Sequence, residues 1–584
     1  MNTAARTPHD HPSGFLADLL RHYPDLDATF LGEAGSAFER ISVSGGETLV
    51  RQGEPSDAIY VLLNGRLVAS ITDAAGAPVR LGEIARGELI GEMTVLTGGQ
   101  RSATVTALRD SRLLRMSNAA FERFMQRHPA VMRRFIEVLM HRLTLPRTGS
   151  GERLSTVALV PGDPSGMPDA FRSGLEAALA AGTRVLSLDA VTAQARFPGR
   201  FDDASDASIA AFLNDLEHAN GMLLYRCDPT LTRWTRLALR QADRILVVGT
   251  GAPATEAGRH AADRPDGDAL RGCELVLLHP PGVAAPKGTA TPLASGRYRR
   301  HHHVATGDPS APERLARHLL GRSLGLALGG GGARAFMEIG VLRALEAARI
   351  PVDVVGGTSM GAVIGALVAH GADAAGCQAA MREVARRKPF SGLAIPRVAL
   401  LSGRRLHKVM QFLFDDRRIE DLRLRYFCVS CNLTRGTVDA HEDGPLARWV
   451  AASNAIPGII PPIVDGGDLH VDGGLLNNVP ADLMARRNAG PVIAVNVSNT
   501  DGFLATAPGR ADRMPGIGRI LVRAMLLAAS NHAVAMRQHA ALHLAPATSA
   551  DVNDWHRLDE LVETGYRHAM QTLETWTPHV ATNG

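Results

Sequence analysis

The chain has 584 residues, too many for one compact core, and at ~150 residues per domain it should divide into three or four. Apolar residues supply 45% and charged residues 21%, so large cores can form without help from metals or disulfides. A formal net charge of +4 over this length, with no Lys/Arg block interleaved with aromatics, argues against nucleic acid and leaves only mild attraction to anionic lipid.

Five cysteines, Cys227, Cys273, Cys377, Cys428 and Cys431, are scattered and odd in number, a pattern that suits a reducing compartment. Cys428 and Cys431 share a C-x-x-C spacing, but no second pair completes a zinc site, and the alternation around Phe427 and Val429 reads as a strand. Residues 1–14 lack the basic start and apolar centre of a secretory leader. No run of roughly 18 apolar residues occurs, and the apolar stretch 362–369 is too short to span a bilayer. The expectation is a cytoplasmic protein, peripheral at the inner face of the membrane.

Residues 15–145 begin with a short helical pattern and continue as alternating runs such as 47–51, 58–63 and 66–71. Turn signals at Ser44-Gly45-Gly46 and Asn64-Gly65 separate these runs, which predicts a compact β-roll. Apolar residues from Phe121 to Leu143 then recur at helical spacing, and Pro146 with Gly149-Ser150-Gly151 marks a linker. Within the roll, Gly91-Glu92 is followed by Arg101-Ser102-Ala103. A phosphate needs a cation and donors, which Arg101 and Ser102 supply, and Glu92 can accept from a ribose hydroxyl. As a unit this region resembles the cyclic nucleotide-binding domain. The resemblance implies an allosteric cyclic nucleotide held by Gly91, Glu92, Arg101 and Ser102, with Ser102 in place of Thr leaning toward cAMP.

Residues 152–320 alternate strands (156–160, 185–188, 221–225, 244–248, 274–278) with helical stretches, the rhythm of a parallel, Rossmann-like α/β sheet. No nucleophile or phosphate loop stands out, and scaffolding is the expected role. His301, His302 and His303 are adjacent, but successive strand residues face opposite sides, so surface or packed histidines are preferred to a metal site.

Residues 323–546 open with a strand, the glycine run Gly329 to Gly332, and a helix. A second strand leads into Gly357-Thr358-Ser359-Met360-Gly361, a G-x-S-x-G sequence between strand and helix, where a serine nucleophile sits on a sharp turn. Backbone N–H groups of Gly330, Gly331 and Gly332 can converge on an oxyanion. Dinucleotide binding also fits Gly330-x-Gly332-x-x-Ala335. It needs an acid at the end of the second strand, however, and the acid nearby, Asp353, stands at its start. The base for Ser359 is Asp472, where a strand breaks into Gly473-Gly474. A Ser-His-Asp order is open to the later histidines, but none of those sits at a glycine-bounded strand end, so a dyad is preferred.

These three motifs, with Ala452 to Gly458, Pro461-Pro462 and Asp472 to Pro480, resemble the patatin-like phospholipase family. Arg233 to Arg236, Gln241-Ala242-Asp243 and Arg314 to Arg317 are similar to the region preceding the esterase domain in the neuropathy target esterase branch. The resemblance implies a serine lysophospholipase with Ser359 as nucleophile, Asp472 as base, Gly330 to Gly332 as oxyanion donors, and no catalytic metal. Residues 547–584 would form a helical extension of this domain. Two departures stand out: Ala335 where the family usually has Gly, and Glu338 where it often has His. They predict lowered turnover or altered substrate choice.

The combined expectation is a multidomain lipid acyl hydrolase acting on lysophospholipid or phospholipid and regulated by cyclic nucleotide. The rival is a cyclic-nucleotide-responsive regulator that binds lipid or protein without turnover. A transcription factor is excluded for want of a basic helix-turn-helix after residue 145.

Overall fold

The computed structural model describes residues 39–72, 78–84, 88–91, 99–127, 154–263, 273–282, 286–395, 397–488, 490–498 and 516–576. The chain forms two compact units: Met1–Leu277 with Leu293–His301, and Leu278–Pro292 with His302–Gly584.

In the first unit, the alternating runs pair into two four-stranded antiparallel sheets. Leu62, Leu67 and Leu113 are fully buried between them because period-2 spacing sends every second residue inward. Gly65, at φ +101°, turns Ala58–Asn64 into Leu67–Thr72. The helix Asn118–Arg127 follows; the rest of the expected helix, the linker and the first helical pattern lie outside the described residues.

The parallel sheet of this unit runs Val185–Leu188, Met222–Arg226, Thr156–Pro161, Arg244–Gly249, Cys273–His279 in spatial order. Its central strands are buried throughout and mostly apolar, as expected where helices cover both faces. The β-roll meets this sheet through buried charge. Arg109, in the turn before Ser111–Ser117, bonds Glu217 at 2.7 and 2.8 Å and lies 3.3 Å from Asp243, while Arg66 lies 3.4 Å from the same Asp243 oxygen. Burial opposes a charge on Asp243, but the two arginines and the Ser155 hydrogen bonds outweigh it and hold its pKa at about 2.

The second unit is built on an eight-stranded mixed sheet whose parallel core is Arg425–Asn432, Val354–Thr358, Gly325–Leu328, Val492–Val495 and Leu542–Leu544. Asp468–Asp472 joins it antiparallel to Arg425–Asn432. The helix Leu558–Thr575 packs on the helix Phe336–Ala347 at a crossing where a Cβ on Gly565 would lie 1.9 Å from the Met337 carbonyl. The C-terminal helix is therefore part of the core that supports the glycine loop. Asp353 pairs with Arg317 at 2.6 Å and accepts from the Leu324 N–H, so it fixes the start of this domain. His303 bonds His279 and the Glu420 carbonyl, both at 2.8 Å, which gives it a packing role. Cys428 and Cys431 are free thiols on one strand. Among the described residues no helix is long and apolar enough to cross a membrane.

Candidate active site

Ser359 stands between Val354–Thr358 and the helix Met360–His370, at φ +55° and ψ −125°. A non-glycine residue rarely adopts this conformation, and holding it costs on the order of 1–3 kcal/mol. The surroundings fix it from both sides. The Ser359 N–H donates to Ser453 Oγ at 2.9 Å, and Asn454 Nδ2 donates to the Ser359 carbonyl at 2.8 Å. Ser453 Oγ in turn donates to the Val429 carbonyl at 2.6 Å. The turn is tight enough that a Cβ on Gly361 would lie 2.7 Å from the Gly329 carbonyl.

Asp472 ends the strand Asp468–Asp472 and is fully buried. Ser359 Oγ donates to Asp472 Oδ2 at 2.7 Å, and the Gly474 N–H donates to Asp472 Oδ1 at 2.8 Å. Burial raises the Asp472 pKa to about 7, against the opposing pull of those two hydrogen bonds. Ser359 is also buried, with 9% of its surface exposed against none for Asp472. Among the described residues no histidine bonds to either side chain.

The glycine loop lies against the serine: a Cβ on Gly330 would stand 2.9 Å from Ser359 Cβ. Its three N–H donors are not equivalent. The Gly330 N–H is directed to the Asn478 carbonyl at 3.2 Å, and its own carbonyl accepts from Asn478 Nδ2 at 3.1 Å. Gly331 and Gly332 have no such acceptor for their N–H groups among the described residues, and Gly332 needs its φ of +58° to make the bend.

The two departures acquire a physical meaning. Ala335 has φ −61°, an ordinary helical value, so its Cβ brings no backbone strain. Glu338 is fully buried in the first turn of Phe336–Ala347, and burial pushes its carboxyl well above the usual range. Its oxygens face the backbone of Gly329 without closing a hydrogen bond of normal geometry. Burial thus favours the neutral acid, which does not oppose the field at the helix N-terminus.

In the β-roll, Arg101 is buried and donates from Nη2 to the Ala58 carbonyl at 2.7 Å. Its Nη1 is buried with no partner among the described residues and occupies the space beside Gly91, where a Cβ would lie 2.1 Å away. Ser102 is exposed next to it, and Glu92 lies outside the described residues. Sequence reasoning assigned no role to Ser453, Asn454 or Asn478, although each lies in a stretch that carried the family resemblance. Adjacent polar side chains such as Asn477-Asn478 in an apolar stretch were the available signal.

Residues 326–485 match the family model of patatin-like phospholipase, residues 40–128 that of the cyclic nucleotide-binding domain, and residues 153–321 that of the Neuropathy Target Esterase family P-loop like domain. The chain therefore carries these three domains, in the order expected from its sequence. It is similar to "Patatin-like phospholipase domain-containing protein 6" of Pongo abelii, 34% identical over 81% of this chain and 38% of that protein. It is also similar to "Neuropathy target esterase sws" of Drosophila melanogaster, 33% identical over 80% of this chain and 36% of that one. "Lysophospholipase nte1" of Aspergillus oryzae is 29% identical over 96% of this chain and 43% of its own length. The chain thus spans less than half the length of these relatives. The catabolite activator protein of Thermus thermophilus shares 29% identity over 21% of this chain and 57% of its own, with a TM-score of 0.20.

Proposed function

We propose that the chain is a serine lipid acyl hydrolase of the lysophospholipase type, working through a Ser359–Asp472 dyad. The observation that carries this reading is the 2.7 Å hydrogen bond from a strained serine to a buried carboxylate whose pKa is pushed up to about 7. A base so placed is ionised for much of the time at neutral pH and still basic enough to take a proton. Ser359 Oγ attacks the acyl carbonyl and passes its proton to Asp472. The oxyanion is held by the N–H groups of Gly331 and Gly332, while Gly330 and Asn478 brace the loop. Asp472 then protonates the departing alcohol, and water, deprotonated by the same carboxylate, releases the fatty acid from the serine ester. The similarity to a protein named lysophospholipase supports a single-chain lipid ester as substrate.

Cyclic nucleotide is the regulatory ligand in this reading. The buried, unpartnered Nη1 of Arg101 suits a cyclic phosphate, with Ser102 beside it to donate. Treatment with a fluorophosphonate probe, followed by peptide mass spectrometry, tests the nucleophile. A single adduct on Ser359 that is absent after Asp472→Asn is expected. An unlabelled Ser359 in folded protein would instead favour the non-hydrolytic regulator.

A further inference from the structure

Three of the most exposed large apolar side chains among the described residues fall within six positions of one another: Leu393 (91%), Ile395 (79%) and Val398 (68%). They do not belong to a loose loop. Leu393 and Leu401 form an antiparallel bridge, the Ala394 N–H donates to the Leu400 carbonyl at 3.0 Å, and the Ser402 N–H closes onto Gly392 at 3.0 Å. Residues 392–395 and 397–402 thus pair as the two arms of a small hairpin on which Leu393, Ile395 and Val398 are exposed.

The base of this hairpin is fastened to the active site. Leu400 and Leu401 donate to the carbonyls of Gly458 and Ile459 at 3.0 and 2.9 Å. The same stretch of chain, a few residues earlier, holds both reacting groups: Asn454 bonds the Ser359 carbonyl, and the Ala455 carbonyl accepts from the Asp472 N–H. On its other side Gly458 meets Leu521, within the helix Ile517–Met536, where Ile517 is 63% exposed. Two exposed apolar edges therefore flank the segment that bonds the backbone of both dyad residues.

Along the chain the charge flanking the hairpin has one sign. Lys388, Arg397, Arg404, Arg405 and Lys408 are exposed, and positions 388–408 contain no Asp or Glu. Exposed apolar side chains on a stretch whose charges are all cationic suit a surface with acyl chains below and anionic headgroups above, where arginine and lysine stems lie along the boundary. A water-soluble protein partner gives no such reason to pair greasy tips with unopposed cations.

We propose that the two arms of this hairpin form a membrane-docking element that inserts Leu393, Ile395 and Val398 into an anionic bilayer and sets Ser359 near its surface. This rests on the lipid-hydrolase reading, which the test separates. Co-sedimentation of the full chain with phosphatidylcholine vesicles, with and without phosphatidylserine, is compared for the parent, Leu393→Ser/Ile395→Ser and Arg397→Glu/Arg404→Glu. Vesicle partitioning should fall on the order of tenfold or more in both variants, and the parent should prefer the phosphatidylserine vesicles. Fluorophosphonate labelling of Ser359 and turnover of a soluble ester should match the parent, which also shows that the variants fold. Equal partitioning of parent and Leu393→Ser/Ile395→Ser overturns the docking element, as does a parent dimer that the same change dissociates while vesicle binding persists. Loss of labelling in every form including the parent overturns the hydrolase reading instead.

Discussion

Gly330 and Asn478 exchange two hydrogen bonds, N–H to carbonyl at 3.2 Å and Nδ2 to carbonyl at 3.1 Å, and so clamp the glycine loop beside Ser359. In the proposed mechanism the clamp acts through the neighbouring N–H groups of Gly331 and Gly332. Asn478→Ala removes the side-chain half and leaves a buried carbonyl unsatisfied, a cost of ~1–3 kcal/mol. Ester turnover should fall on the order of tenfold to a hundredfold in kcat with little change in KM.

Asp472 titrates at about 7, so kcat/KM should rise with pH and level off above that value. The same shift has a consequence for stability. A carboxyl whose folded pKa exceeds its unfolded value contributes most below the unfolded value, near 4, and loses that contribution as pH rises toward 7. Asp472→Asn should therefore abolish hydrolysis yet stabilise the domain at pH ~8 by up to about 4 kcal/mol, and change little at pH ~4. Thermal unfolding of both proteins at the two pH values measures this.

Glu338 follows the same sign. Its folded pKa is raised by burial, so its contribution is present at low pH and lost as pH climbs toward that raised value. Glu338→Gln should keep turnover within a fewfold of the parent at neutral pH and flatten any alkaline decline in melting temperature. A variant as pH-sensitive as the parent would show that the decline has another source.

Arg101→Ala should remove binding of a fluorescent cAMP analogue, because the buried guanidinium supplies the cation at the proposed phosphate site. Fluorophosphonate labelling of Ser359 without nucleotide should be unchanged. Fluorescence anisotropy titration of parent and variant is the measurement.

Arg109 joins the β-roll to the parallel sheet through Glu217 and Asp243. Breaking a buried pair from one side strands the other charge, and Arg109→Ala should cost ~3–5 kcal/mol. The melting transition of the first unit should fall, while labelling of Ser359 stays near that of the parent.

Much of this architecture was legible in the sequence because its signals are local. Asn64-Gly65 announced a turn, the apolar runs at 156–160 and 244–248 announced buried parallel strands, and Gly357 to Gly361 announced the bend at the serine. Ser359 and Asp472 were also named, each from its own strand-to-glycine break. What escaped depended on distance in the chain. Ser453 reaches Ser359 across 94 positions and Asn478 reaches Gly330 across 148, and no pattern of spacing encodes such a contact. The inequality of the three loop glycines followed from that second contact. The ordinary φ of Ala335 and the burial of Glu338 likewise emerge only once the helix has a place in the core.

The most direct measurement is fatty-acid release from lysophosphatidylcholine by the purified chain, beside Ser359→Ala and Asp472→Asn. Release by the parent that rises through pH ~7 and vanishes in both variants is the expected result. Release that survives Ser359→Ala, or none from any lysolipid by a folded parent whose serine stays unlabelled, would contradict the dyad.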